Sequence, residues 1–164
     1  MKPIIHSKSL LSIILSITIA CTSVSLNATT ISDISHTETI QAFLDQLQDI
    51  QSQALDITQL ALRNSTIETR QLEEQINLLG TELEVLNTRI QNYLRTVPSI
   101  SNQNRHVLLT FNVLNLIKSS LYTLNLLVHA TNDIERFRLL DEFFRSRVTA
   151  LDTLAILEEL LQNF

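Results

Sequence analysis

Leu72, Ile76, Leu79, Leu83, Leu86, Ile90, Tyr93 and Val97 recur at alternating intervals of four and three residues. An apolar side chain every 3.5 residues on average lies along one stripe of an α-helix, and a stripe sustained over three heptads needs another helix to cover it. Ile40, Phe43, Leu47, Ile50, Ala54, Ile57 and Ala61 form an earlier run of the same period, one residue out of phase with the later one. The 164 residues include a single glycine and two prolines, too few for the turns of a strand-rich fold. With 45% hydrophobic residues, the chain can build a real core. The expected fold class is all-α.

The phase slip between the two runs falls at Arg63-Asn64-Ser65-Thr66. There Ser65 and Glu68 match a capping box, and Arg63 stands where a helix C-terminus favours a cation. These cues predict two helices, not one kinked helix over 38–97. Gly80, followed by Thr81 and Glu84, is a rival break point. The stripe passes through it in phase from Leu79 to Leu83, so Gly80 is read as permitting a close helix contact, at a helix cost of ~1 kcal/mol. Pro98, flanked by Ser99, Ser101 and Asn102, ends the second helix.

A third helix is expected over about 104–130. Of the 22 residues from Val107 to Val128, 14 are Val, Leu, Ile, Phe or Tyr, and Asn112, Asn115, Ser119 and Thr123 form a narrow polar stripe. A helix so widely apolar belongs at a bundle centre or in an interface. Asn132 and Glu135 can cap a fourth helix over about 133–163, whose core face reads as Ile134, Phe137, Leu140, Phe144, Val148, Leu151 and Ala155. Four segments of ~40–47 Å with short joints predict an antiparallel four-helix bundle with coiled-coil-like seams. The flanks of the second seam, Gln75, Gly80, Asn87 and Leu94, carry too few charges to select a free-standing coiled-coil partner.

Residues 1–20 have the order of a secretory signal: Lys2 and Lys8, the uncharged apolar stretch SLLSIILSITIA, then small residues. Twelve residues is too short for an ordinary membrane span, which needs ~20. Residues 21–37 are rich in Ser and Thr and read as a flexible tether, leaving 38–164 as the bundle. Thr18-Ile19-Ala20 before Cys21 resembles the leader of bacterial lipoproteins, although Thr18 departs from the aliphatic residue usual at −3. The resemblance covers about 25 residues and implies Cys21 as the lipidation site and a membrane anchor. Cleavage after Ser23-Val24-Ser25 is the alternative and discards Cys21 with the leader. Either route exports the protein, to the envelope or to the periplasm and beyond.

Removing the leader takes Lys2 and Lys8 and no acidic residue, which leaves 10 basic against 17 acidic side chains, a net charge of −7. That charge disfavours nucleic acid as a partner. No residue pattern marks chemistry. Asp33 and His36 have helical ligand spacing but lie on the tether, and His106 and His129 are ~34 Å apart along one helix. The adjacent carboxylates Glu73-Glu74, Asp141-Glu142 and Glu158-Glu159 point ~100° apart and read as solvated faces. One glycine cannot form a phosphate loop. In RFRLLDEFFRSR, acidic residues cancel Arg136, Arg138, Arg145 and Arg147, so the stretch reads as a salt-bridged surface over core phenylalanines.

No enzyme activity, catalytic residue, metal, cofactor or small-molecule substrate is therefore expected. The expected function is protein–protein interaction, self-association or an envelope scaffold, with Leu78 and Val85, one heptad apart on the outer side of the second helix, as candidate contact residues. The alternative is a membrane-active protein whose apolar third helix inserts into bilayers, against which Lys118 costs ~2.5–3.5 kcal/mol.

Overall fold

The two early stripes become α1 (Ser7–Leu62) and α2 (Thr69–Leu94), followed by α3 (Asn102–His129) and α4 (Asp133–Gln162). The structure, a computed structural model, describes the backbone of residues 7–63 and 69–163 and the side chains of 35–63 and 69–163. No strand occurs among the described residues, and the four helices pack against one another. Residues 1–37 and 38–164 form two separate units. The expected leader, Cys21 and the Ser/Thr-rich stretch to residue 34 lie outside the residues whose side chains are described, as does the expected Ser65–Glu68 capping box. Ser35, His36 and Thr37, at the end of the expected tether, belong to α1, and His36 is buried.

The core of α1 and α2 follows the heptads. Ile40, Phe43, Leu47, Ile50, Ala54 and Ile57 are buried from α1, joined by Leu44, which widens the stripe. From α2, Leu72, Ile76, Leu79, Leu83, Leu86 and Ile90 are buried, with Tyr93 and, three residues beyond the helix, Val97 partly covered. Full burial of each Leu, Ile or Phe among them contributes ~1.5–3 kcal/mol relative to leaving it in water. Short polar contacts tie the helices at their edges. Arg89 Nη1 donates to Gln46 Oε1 at 2.9 Å, with its guanidinium carbon 5.5 Å from the centre of the Phe43 ring. That ring meets Tyr93 edge-on at 6.0 Å.

Lys118 of α3 pairs with Glu84 of α2, and His129 Nε2 lies 2.6 Å from Glu73 Oε1. Gln48 Nε2 of α1 donates to Glu158 Oε1 of α4 at 2.7 Å, while Arg136 Nη2 donates to the Ala61 carbonyl at 3.1 Å. In each of these pairings partner numbers fall as residue numbers rise. Arg136 also meets one of the carbonyls that the end of α1 leaves without an intrahelical donor, so a cation from α4 serves the terminus where the sequence suggested Arg63.

Capping fixes the helix starts. Ser101 accepts from the Asn104 amide at 3.0 Å and opens α3 two residues before the expected start. Asn132 caps α4 as expected, its Oδ1 accepting from the Glu135 amide at 2.8 Å and its Nδ2 donating to Glu135 Oε2 at 3.1 Å.

Two expectations are corrected. Of the face expected to be the core of α4, Leu140 alone packs partly against the core; Ile134, Phe137, Phe144, Val148, Leu151 and Ala155 are exposed, Ile134 at 85% and Phe137 at 74%. The buried row is Leu139, Phe143, Ala150, Leu154, Leu157 and Leu161. Both rows recur at three and four residues, and the same spacing that puts Asp141 between Phe137 and Phe144 in the outer one puts the half-buried Arg147 between Phe143 and Ala150 in the inner one. Period and charge alone therefore do not choose between the rows, and the one that faces inward carries Leu139, Phe143, Leu154, Leu157 and Leu161. The interior of RFRLLDEFFRSR therefore holds Phe143 alone of the three phenylalanines. Its salt bridges form as expected, Arg138–Glu142 at 3.5 Å and Arg145–Asp141 at 2.9 Å.

Gly80 is the second. A Cβ placed there meets no atom within 4 Å, so the residue supports no close helix contact. It lies instead on the floor of an open groove between α2 and α3. Nothing opposes a side chain, and the helix pays glycine's backbone entropy without return. Gly80→Ala is expected to stabilise the protein by ~0.5–1 kcal/mol, read as a higher urea midpoint with unchanged slope.

Candidate interaction surface

Leu78 and Val85 stand one residue before Leu79 and Leu86, which places them ~100° round α2 from its buried stripe. They are 60% and 58% exposed. Leu78 lines a groove with Gln53, Asp56 and Leu60 of α1, and Val85 a neighbouring groove with Gln46, Asp49 and Ile50. The two residues thus stand at the apolar margin of two neighbouring grooves between α1 and α2, each bordered on the α1 side by an amide and a carboxylate.

The outer row of α4 is the larger apolar surface, and sequence reasoning missed it by assigning that row to the core. Leu62 of α1 adds to its N-terminal end, where it lines a groove with Arg136, Phe137 and Leu140. Leu108 and Tyr122 of α3 are also exposed, but they lie 14 residues apart and form no continuous row.

The titratable groups are dispersed. Glu73 turns to His129 and Glu74 to Arg70, Asp141 to Arg145 and Glu142 to Arg138, so neither adjacent carboxylate pair converges on one point. Glu84 is held below the usual carboxylate range by its hydrogen bond from Lys118 and then by the charge of that ammonium. Among the described residues no group of three His, Cys, Asp or Glu side chains is placed to hold a metal ion.

His106 is buried at the start of α3, and burial, followed by the charge of Arg105, lowers its pKa. The unfolded chain binds the proton more readily, so the stability this histidine contributes is present above an unfolded pKa of ~6.5 and is lost as pH falls from there through the folded value. The urea midpoint is expected to be lower at pH 5.5 than at pH 7.5. In His106→Leu that decline should be shallower, and an equal decline in both proteins would rule His106 out as its source.

Asn102–His129 is long and apolar enough to cross a membrane by length and composition, and half of its most apolar window is buried inside the bundle. Compared with protein-family models, curated proteins and solved structures, the chain matches none.

Proposed function

We propose that the chain is an exported helical protein, an antiparallel four-helix bundle with coiled-coil-like seams, that acts by protein–protein interaction or as an envelope scaffold and performs no catalysis. The observation that carries this reading is the surplus of apolar side chains outside a complete core, with Leu78 and Val85 at the margin of the α1–α2 groove. Large side chains left in water at heptad spacing suit a helix from a partner, because 3.5-residue periodicity is what a packed helix reads. Leu78→Glu/Val85→Glu is expected to keep the helical circular dichroism of the parent while abolishing capture of its partner. A double variant that captures the partner as the parent does would remove this groove from the function.

Location rests on the leader. If Cys21 carries acyl chains, the bundle is tethered to a membrane; if cleavage falls before Leu26, it is free in the periplasm or outside the cell. The intact mass of the mature protein separates the two.

The length and apolarity of α3 favour a second reading, insertion of that helix into a bilayer after the bundle opens. Lys118 at its centre opposes insertion by ~2.5–3.5 kcal/mol. Absence of dye release from vesicles at any pH tested would eliminate it.

A further inference from the structure

The outer row of α4 is a seam with no helix on it. Ile134, Phe137, Phe144, Val148, Leu151 and Ala155 keep the three–four rhythm over six turns, with Asp141, paired to Arg145, in the slot between Phe137 and Phe144, and all are exposed. Val148 lies ~160° round the helix from the fully buried Ala150, so the row faces directly away from the core. A heptad row of this length, facing water, has the pattern of a packed helix interface without the second helix.

The charges beside the row identify that helix. Arg138, Arg145, Asp152 and Glu159 border it on one side at intervals of seven, all exposed, with both cations in the N-terminal half and both carboxylates in the C-terminal half. When two identical helices pack face to face in opposite directions, such a border row faces its own reversed copy. A single two-fold axis beside Val148 then sets Arg138 against Glu159 of a second copy and Arg145 against its Asp152, each pair occurring twice. Parallel packing would instead set Arg145 and Glu159 against Leu140 and Leu154. Arg138 and Arg145 keep their intrahelical partners Glu142 and Asp141, so neither cation depends on the dimer for its charge.

From this self-complementarity we infer that α4 is the interface of a homodimer in which two copies of this chain pack their outer faces antiparallel about a two-fold axis at Val148. Val148 sits at the axis and Phe144 covers Leu151 and Ala155 of the second copy. Closed two-fold pairing uses one patch twice and leaves no open end, the commonest form of assembly among soluble oligomers. The inference rests on the reading of the protein as a binding bundle but uses a different helix from Leu78 and Val85, so the two are tested apart.

The experiment is sedimentation equilibrium of the full chain, under reducing conditions, as parent and as four variants. The parent is expected to be a dimer and Val148→Glu a monomer with parental circular dichroism. Arg145→Glu and Asp152→Arg singly should each weaken the dimer ~10-fold, since each replaces two attractive pairs with two repulsive ones. The combined variant Arg145→Glu/Asp152→Arg restores the attraction in reverse and should recover most of the affinity. A monomeric parent overturns the inference, as does a dimer that survives Val148→Glu or a charge swap that fails to rescue. A monomeric parent that co-sediments with anionic vesicles and loses them in Val148→Glu would assign the face to lipid instead. Loss of the dimer in Leu78→Glu/Val85→Glu, with Val148→Glu still dimeric, would leave the binding reading standing and remove only the α4 interface.

Discussion

Phe143→Ala is expected to cost ~3–5 kcal/mol of unfolding free energy, and Phe137→Ala, six residues earlier on the same helix, to stay within ~0.5 kcal/mol of the parent. Phe143 is fully buried, while Phe137 keeps 74% of its surface in water. Truncating Phe143 removes the transfer free energy of a ring and leaves a void that close-packed neighbours fill only in part. It also takes away the edge-on contact with Phe144, 5.4 Å away at 78°. Truncating Phe137 removes a ring that the isolated bundle barely covers. Urea unfolding in dilute protein, where association through the outer face of α4 contributes least, gives both values from one pair of curves. The reverse order, with Phe137 costly and Phe143 nearly neutral, would mean that α4 is rotated about its axis by half a turn and that the outer row is the core.

That contrast marks where the sequence is legible and where it is not. Period, phase and caps can be read directly: the stripes of α1 and α2 are buried except at their ends, where Ala61, Tyr93 and Val97 are partly covered, and Asn132 caps α4 with Glu135 as the motif predicts. The choice between two stripes on one helix cannot be read from period, because α4 carries one on each side. Size favours the outer row, with Phe137, Phe144 and Ile134, over an inner row containing Ala150. Charge does not decide either, because the spacing that puts Asp141 in the outer row puts Arg147 in the inner one. Gly80 fails for a different reason. A glycine in a helix stripe is compatible with a crowded neighbour or an empty groove, and only the coordinates of α3 distinguish them. For the candidate surface, the exposure of Leu78 and Val85 follows from their place beside the seam, whereas the α4 face was visible as a pattern and assigned to the wrong side of the helix.

Gln51→Met is expected to stabilise the protein by ~1–3 kcal/mol. Gln51 is 3% exposed, and neither its Oε1 nor its Nε2 meets a hydrogen-bonding group of the protein. Other buried polar side chains solve the same problem within their own helix: Thr58 donates to the Ala54 carbonyl, Thr110 to His106, Ser120 to Leu116 and Thr153 to Thr149. A hydroxyl reaches back one turn to do this, but the longer glutamine amide, with two N–H donors and a carbonyl acceptor, is not satisfied by its own helix here. Desolvating an amide without a partner costs ~1–3 kcal/mol. Methionine keeps the unbranched length and fills the same volume without the penalty, so a higher urea midpoint at unchanged slope is the expected result. Gln51→Ala serves as the packing control and should fall below the methionine variant by the cost of the cavity. A lower midpoint in Gln51→Met would show that the amide is paired in the folded protein. If the transition also broadened, Gln51 would be acting as a polar core residue that fixes the register of α1, exchanging stability for a single packing of the bundle.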